Sequence, residues 1–71
     1  MITERFQVPE VSCQHCVNAI TKEVTAIPGV QQVQVALDSK TVTVAHAEQV
    51  STGQIVAAIN EAGYDEVAPL N

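Results

Sequence analysis

Apolar residues recur along the chain with two different periods, and the change of period marks the first two elements. Alternation of apolar and polar residues over Thr3–Val8 predicts a first strand, which Pro9 ends. From about Gln14 to Ile27 the apolar residues recur at steps of three and four, which is typical of an amphipathic helix. Pro28-Gly29 is expected to stop this helix.

The middle of the chain predicts a β-hairpin. Val33, Val35 and Leu37 alternate with polar or small residues, and a second alternation covers Thr41–Ala45. Asp38-Ser39-Lys40 lies between them and has the composition of a tight turn. Two strands joined in this way are expected to pair with each other.

The remaining third completes the order β-α-β-β-α-β. A capping box at Ser51–Gln54 predicts the start of a second helix, which Gly63 ends. Tyr64–Ala68 is predicted to be a short edge strand. Each strand has one apolar face and each helix one apolar stripe, so two helices should pack on one face of a four-stranded antiparallel sheet. The predicted fold is a ferredoxin-like α+β sandwich, with residues 1–71 as a single domain.

Size and charge exclude several classes of function. A chain of 71 residues has little room for the deep cleft of a self-contained enzyme. Its net charge of -5 has the wrong sign for nucleic acid or anionic lipid. The sequence contains neither a secretory signal nor an apolar run as long as a membrane span, so we expect a cytoplasmic protein without membrane insertion. In that reducing compartment, two cysteines indicate metal or redox chemistry rather than a disulfide.

Cys13 and Cys16 form a C-x-x-C motif where the first strand gives way to the first helix. Free N–H groups and the dipole at a helix start stabilise thiolates, which bind soft metals. Structural zinc and iron–sulfur sites normally take four protein ligands, whereas this chain has only two cysteines and two histidines. Two thiolates therefore favour Cu(I), although Zn(II) or other soft metals could bind them in vitro. A site with so few ligands leaves room for an incoming ligand, which suits a carrier.

The run Ser-Cys-Gln-His-Cys-Val, from Ser12 to Val17, resembles the heavy-metal-associated domain family. Within that family the chain is most similar to the small bacterial copper chaperones of the CopZ type, with which it shares Pro28-Gly29-Val30 and Gly63-Tyr64-Asp65. The resemblance implies that the two motif cysteines bind one Cu(I). It also implies that copper is delivered to similar domains of a copper-transporting P-type ATPase.

The segment that carries Cys13 and Cys16 is called the metal loop below. Four residues are candidate supports of this loop, and one further histidine lies elsewhere in the chain. Val11 stands where the family usually has methionine, and the resemblance implies that it supports the loop. We expect Ser12 to form local hydrogen bonds, and His15 to tune the thiolates or the partner surface rather than bind metal. Tyr64 is either core filler or, as the resemblance implies, a shield of the loop. His46 is expected to be an ordinary surface residue.

The acidic residues and the two-ligand metal site each bear on which partners the protein binds. Glu10, Glu61, Asp65 and Glu66 are expected near the metal loop, where they either favour a partner with a basic face or simply keep the protein soluble. Two-coordinate Cu(I) can accept a third thiolate, so a weak copper-bridged homodimer is expected.

Two alternative functions stay open. A thiol-disulfide oxidoreductase also uses C-x-x-C at a helix start. The chain could instead be the metal-binding domain of a larger ATPase, or of a mercury or zinc transport system.

Overall fold

A computed structural model, which describes residues 2–70, has six elements in the predicted order. They are β1 (Ile2–Gln7), α1 (Gln14–Thr25), β2 (Val30–Ala36), β3 (Thr41–His46), α2 (Thr52–Glu61) and β4 (Ala68–Pro69). All strand pairs are antiparallel, and the sheet order is β2-β3-β1-β4. The predicted ferredoxin-like α+β sandwich is confirmed. Across residues 2–70, neither helix has the length and apolar character needed to cross a bilayer.

The core lies between the sheet and the two helices, which contact each other. It follows from the two periods in the sequence, because β3 contributes alternate residues, Phe6 of β1 and Val8 just after it are two apart, and each helix contributes residues four apart. The buried apolar residues are Phe6, Val8, Val11, Ile20, Val24, Val42, Val44, Val50, Ile55 and Ile59. Val11 belongs to this set although it lies outside every helix and strand, so the core extends under the segment that leads to Cys13.

The last strand differs from the prediction. We expected it at Tyr64–Ala68, but β4 covers only Ala68–Pro69, which pair with Gln7 and Phe6 of β1. The preceding residues bind the end of α2 instead, since the Tyr64 N–H donates to the Ile59 carbonyl and the Asn60 side chain donates to the Tyr64 carbonyl. These bonds keep residue 64 close to the helix and delay the start of the strand.

The predicted capping box at the start of α2 is confirmed. The Ser51 hydroxyl accepts a hydrogen bond from the Gln54 N–H at 3.2 Å, and the Gln54 side-chain oxygen accepts one from the Ser51 N–H at 2.9 Å. The start of α1 is different, because its cap position is Cys13 and this side chain makes no capping bond. The two helices therefore begin with unequal support.

The prediction that His46 is a surface residue is wrong. Its side chain is only 1% exposed, because the alternation of β3 places it on the same buried face as Val42 and Val44. Its Nε2 lies 2.6 Å from Glu4 Oε2, and its Nδ1 lies 2.8 Å from the Ala47 carbonyl oxygen. Thr52 at the start of α2 donates to the other carboxylate oxygen of Glu4 at 2.5 Å. This network joins β1, β3 and α2, and both polar nitrogens of the buried ring have partners.

Replacing Glu4 with alanine should destabilise the fold by about 1–3 kcal/mol, because it leaves a buried imidazole nitrogen without its partner. The free energy of unfolding can be measured by urea denaturation. Glu48→Ala is the matched control, since Glu48 is exposed and its loss should change stability little. Equal stability of the two variants would show that the network contributes nothing.

Candidate metal centre

The two cysteines lie at the junction between the first strand and the first helix, as the sequence predicts. Cys13 has extended backbone angles (φ −155°, ψ 174°) and occupies the cap position, whereas Cys16 lies in the first turn of α1. Both thiols are free, and their sulfur atoms are 3.6 Å apart. The Cys13 side chain is exposed and that of Cys16 is half-buried, so the pair presents one accessible and one partly sheltered sulfur.

The surroundings of Cys16 lower the pKa of its thiol. Its pKa is lowered to about 6, first by a hydrogen bond from the Tyr64 side chain and next by one from the Ser12 backbone. The Cys13 side chain and backbone lower the pKa further, while partial burial opposes them. At neutral pH the charged form of Cys16 therefore predominates, and the thiolate is the form that binds metal.

The pKa of the Tyr64 hydroxyl is shifted in the opposite direction to that of Cys16. Its pKa is raised to about 12, first by its hydrogen bond to Cys16, then by burial and by the nearby charges of Cys16, Cys13 and Glu10. Tyr64 therefore keeps its proton throughout the neutral range and remains a donor to the sulfur. Tyr64 also packs against the hydrophobic core, which was one of the two alternatives for this residue; that it shields the metal loop stays a prediction.

The segment that leads to Cys13 is held from two sides. Val11 is fully buried, and its N–H donates to the Val8 carbonyl at 3.1 Å. Its own carbonyl accepts a hydrogen bond from Lys40 Nζ at 2.8 Å. Sequence analysis did not single out Lys40, because a lysine in a predicted turn carries no sign of a contact 29 residues away.

The other candidates lie at the surface. Ser12 is exposed and acts on Cys16 through its backbone rather than its hydroxyl. His15 is also exposed, and no group of three or more histidine, cysteine or acidic side chains able to hold a metal occurs among residues 2–70. Glu10 accepts a hydrogen bond from the Asp65 N–H at 3.2 Å, which brings two of the four acidic residues together. The other two, Glu61 and Glu66, are exposed.

Comparison with known proteins identifies the relatives of this chain. The heavy-metal-associated domain family matches residues 5–65. The chain belongs to this family. It is 41% identical over 66 residues to the copper chaperone CopZ of Bacillus subtilis (strain 168), an alignment that covers 92% of this chain and 96% of the relative. A solved structure described as the CopZ metallochaperone superposes with a TM-score of 0.86 at 32% identity, covering 90% of this chain and 97% of that one.

The family also includes segments of much longer proteins. Copper-transporting ATPase 1 of Rhizobium meliloti (strain 1021) is 32% identical over 65 residues. That alignment covers 92% of this chain but only 8% of the ATPase. The same heavy-metal-associated domain thus occurs both in relatives of about this length and as a small part of a transporter.

The sulfur pair of this heavy-metal-associated domain fits a single soft metal ion. Two metal–sulfur bonds of about 2.3 Å can span at most about 4.6 Å, which exceeds the observed 3.6 Å separation. Both sulfurs can therefore bind the same ion. Among residues 2–70 these two sulfurs have no third histidine, cysteine or acidic side chain grouped with them.

Tyr64→Phe should raise the pKa of Cys16 above about 6, because it removes the first of the hydrogen bonds that stabilise the thiolate. The titration can be followed from the Cys16 Cβ chemical shift in the reduced protein. The lowered pKa of Cys16 also contributes to the free energy of unfolding. In the wild type this contribution grows as pH rises from about 6 to the ordinary thiol pKa near 8.5, because the unfolded state still binds the proton in that range. The contribution is lost as pH falls through about 6, and Tyr64→Phe should make it smaller.

Ser12→Ala is the matched control for this titration. It removes a hydroxyl but keeps the backbone group that bonds to Cys16, so the pKa of Cys16 should stay at about 6. A Tyr64→Phe protein that still titrated at about 6 would contradict the assigned role of the tyrosine hydroxyl.

Proposed function

We propose that this protein is a copper chaperone, a non-enzymatic carrier that binds one Cu(I) between the thiolates of Cys13 and Cys16. The observation that carries the proposal is the pair of free sulfurs 3.6 Å apart, one exposed and one stabilised as a thiolate. Membership of the heavy-metal-associated family and the 41% identity to a copper chaperone over 66 residues support it.

The number of ligands favours Cu(I) over Zn(II). Structural Zn(II) sites use four protein ligands, and the described residues supply two neighbouring thiols without a third ligand to complete a cluster. Zn(II) bound here would need water or a second protein to complete its coordination. We therefore expect Zn(II) to bind in vitro but to be displaced readily by Cu(I).

The unequal exposure of the two sulfurs suggests an order for metal transfer. An incoming thiolate can approach the ion on the side of exposed Cys13, forming a three-coordinate intermediate. Cys13 then leaves first, whereas Cys16 keeps its hydrogen bonds until the ion has moved. Ligand exchange of this kind never releases free copper.

A similar domain of a copper-transporting P-type ATPase is the partner we propose. The ATPase relative matches 92% of this chain within 8% of its own length, so the fold of this chain recurs there as a segment. Because this protein carries a net charge of -5, an acceptor with Lys or Arg around its metal loop would be attracted to it. Glu10 and Asp65 are adjacent and lie on the side of Tyr64, which makes that side the expected contact.

The two other functions considered for the sequence remain distinguishable by experiment. A lowered thiol pKa also suits thiol-disulfide exchange, and an insulin-reduction assay separates that activity from metal carriage. Competition between Cu(I), Zn(II) and Hg(II) under anaerobic conditions separates a copper carrier from a mercury or zinc carrier. A copper-bridged pair of copies stays a prediction.

Replacing either Cys13 or Cys16 with serine should lower the Cu(I) affinity by several orders of magnitude, because one thiolate cannot hold the ion alone. Affinity can be measured by competition with a chromophoric Cu(I) chelator. The fold should persist, since both residues lie outside the fully buried core. Ser12→Ala is the control, with unchanged affinity expected. Tight Cu(I) binding by Cys16→Ser would refute the two-thiolate site.

Transfer to a metal-free ATPase domain should slow as salt rises from about 0.05 to 0.5 M, because exposed charges are screened over a few to about 14 Å in this range. Asp65→Lys should slow it further at low salt. Glu48→Lys makes the same change of charge in the loop after β3, at the opposite end of that strand from the metal loop, and should have a smaller effect. Stopped-flow rates insensitive to salt and to both substitutions would exclude electrostatic docking.

A further inference from the structure

Lys40 occupies a backbone conformation that its residue type rarely adopts. Its φ is +56°, in the left-handed region where glycine and asparagine are usual, and it is the only described residue other than glycine with positive φ among residues 2–70. A side chain with a Cβ is disfavoured there. A lysine at such a position therefore needs a compensating interaction, and a departure of this kind directs attention to function.

The compensating interactions go to the last residue of β1 and to the segment between β1 and Cys13. The Lys40 carbonyl accepts a hydrogen bond from the Val8 N–H at 2.9 Å and a weaker one from the Gln7 side chain at 3.4 Å. Its ammonium donates to the Val11 carbonyl at 2.8 Å. The backbone and the side chain of one residue thus hold the two ends of the segment that runs from Val8 to Val11.

We propose that Lys40 is a positioning residue of the metal site, whose ammonium fixes the loop before Cys13 through the Val11 carbonyl. Val11 is two residues from Cys13 and is anchored on its other side by burial in the core. The side chain of Lys40 is half-buried, so its charge-assisted bond is partly protected from water. The loop therefore holds Cys13 close to Cys16 before metal arrives, which reduces the ordering that binding would otherwise require.

This inference rests on the proposed copper function, and the structure allows the positioning role to be separated from a purely structural one. Lys40→Met removes the ammonium but keeps the unfavourable φ. Lys40→Gly removes the ammonium and also relieves that φ, so its apo protein should be more stable than that of Lys40→Met. If Lys40 positions the loop, Cu(I) affinity should fall by a similar factor in both variants, roughly two- to tenfold, although their stabilities differ.

Two further variants complete the design. Lys40→Arg keeps a charged donor and should restore most of the affinity. Lys22→Met removes one positive charge from the exposed face of α1 and should leave Cu(I) affinity unchanged. Affinities are measured by chelator competition and stabilities by urea denaturation of the reduced apo protein.

A readout without metal tests the positioning role independently. Amide hydrogen exchange of Val11, whose N–H donates to the Val8 carbonyl, should be faster in apo Lys40→Met and Lys40→Gly than in the wild type and Lys22→Met. Unchanged exchange in both Lys40 variants would overturn the proposal, as would Cu(I) affinities that follow stability alone. A wild type that failed to bind Cu(I) would refute the copper function, while the exchange rates would still decide whether Lys40 holds the loop.

Discussion

The lowered pKa of Cys16, for which the Tyr64 side chain is the first cause, is the constraint on which the metal end of the molecule depends. A half-buried thiolate is stable only if donors replace the water that it loses, and the tyrosine hydroxyl is the strongest of these donors. The segment after α2 turns back onto the helix, where the Tyr64 N–H donates to the Ile59 carbonyl and the Tyr64 carbonyl accepts from the Asn60 side chain. The same turn shortens the last strand to two residues. The requirement for a donor and the short edge strand therefore have one structural origin.

The metal loop and the hydrophobic core are parts of one structure. A domain of this size has few buried residues, and one of them, Val11, belongs to the loop itself. Val11 is completely excluded from solvent. The loop is therefore held by the packing of Val11 in the core and by the hydrogen bond from Lys40, in the turn between β2 and β3, to the Val11 carbonyl. Such support suits a site whose two ligands must remain close when no ion is present.

Sequence periodicity predicted the elements that pack against the core, and motif spacing predicted the cysteine pair, because both depend on residues close together in the chain. The interactions that neither pattern predicted join residues that are far apart in the sequence. His46 meets Glu4 across 42 positions, and its burial on β3 could have been inferred from the alternation that includes Val42 and Val44. The contact of Lys40 with the loop has no such signal, since nothing in a turn sequence shows where a long side chain will reach. The predicted start of the last strand was also wrong, because hydrogen bonds to α2 outweighed the weak strand propensity of that segment.

The unequal starts of the two helices determine where the molecule opens most easily. α2 begins with a reciprocal capping box, whereas the cap residue of α1 is a cysteine whose side chain makes no capping bond. Separating the first turn of α1 therefore breaks fewer hydrogen bonds than separating the first turn of α2. Small fluctuations at the start of α1 can then uncover the half-buried Cys16 sulfur while the sheet stays folded. Substitutions that only strengthen the distant core would therefore leave this local opening unchanged.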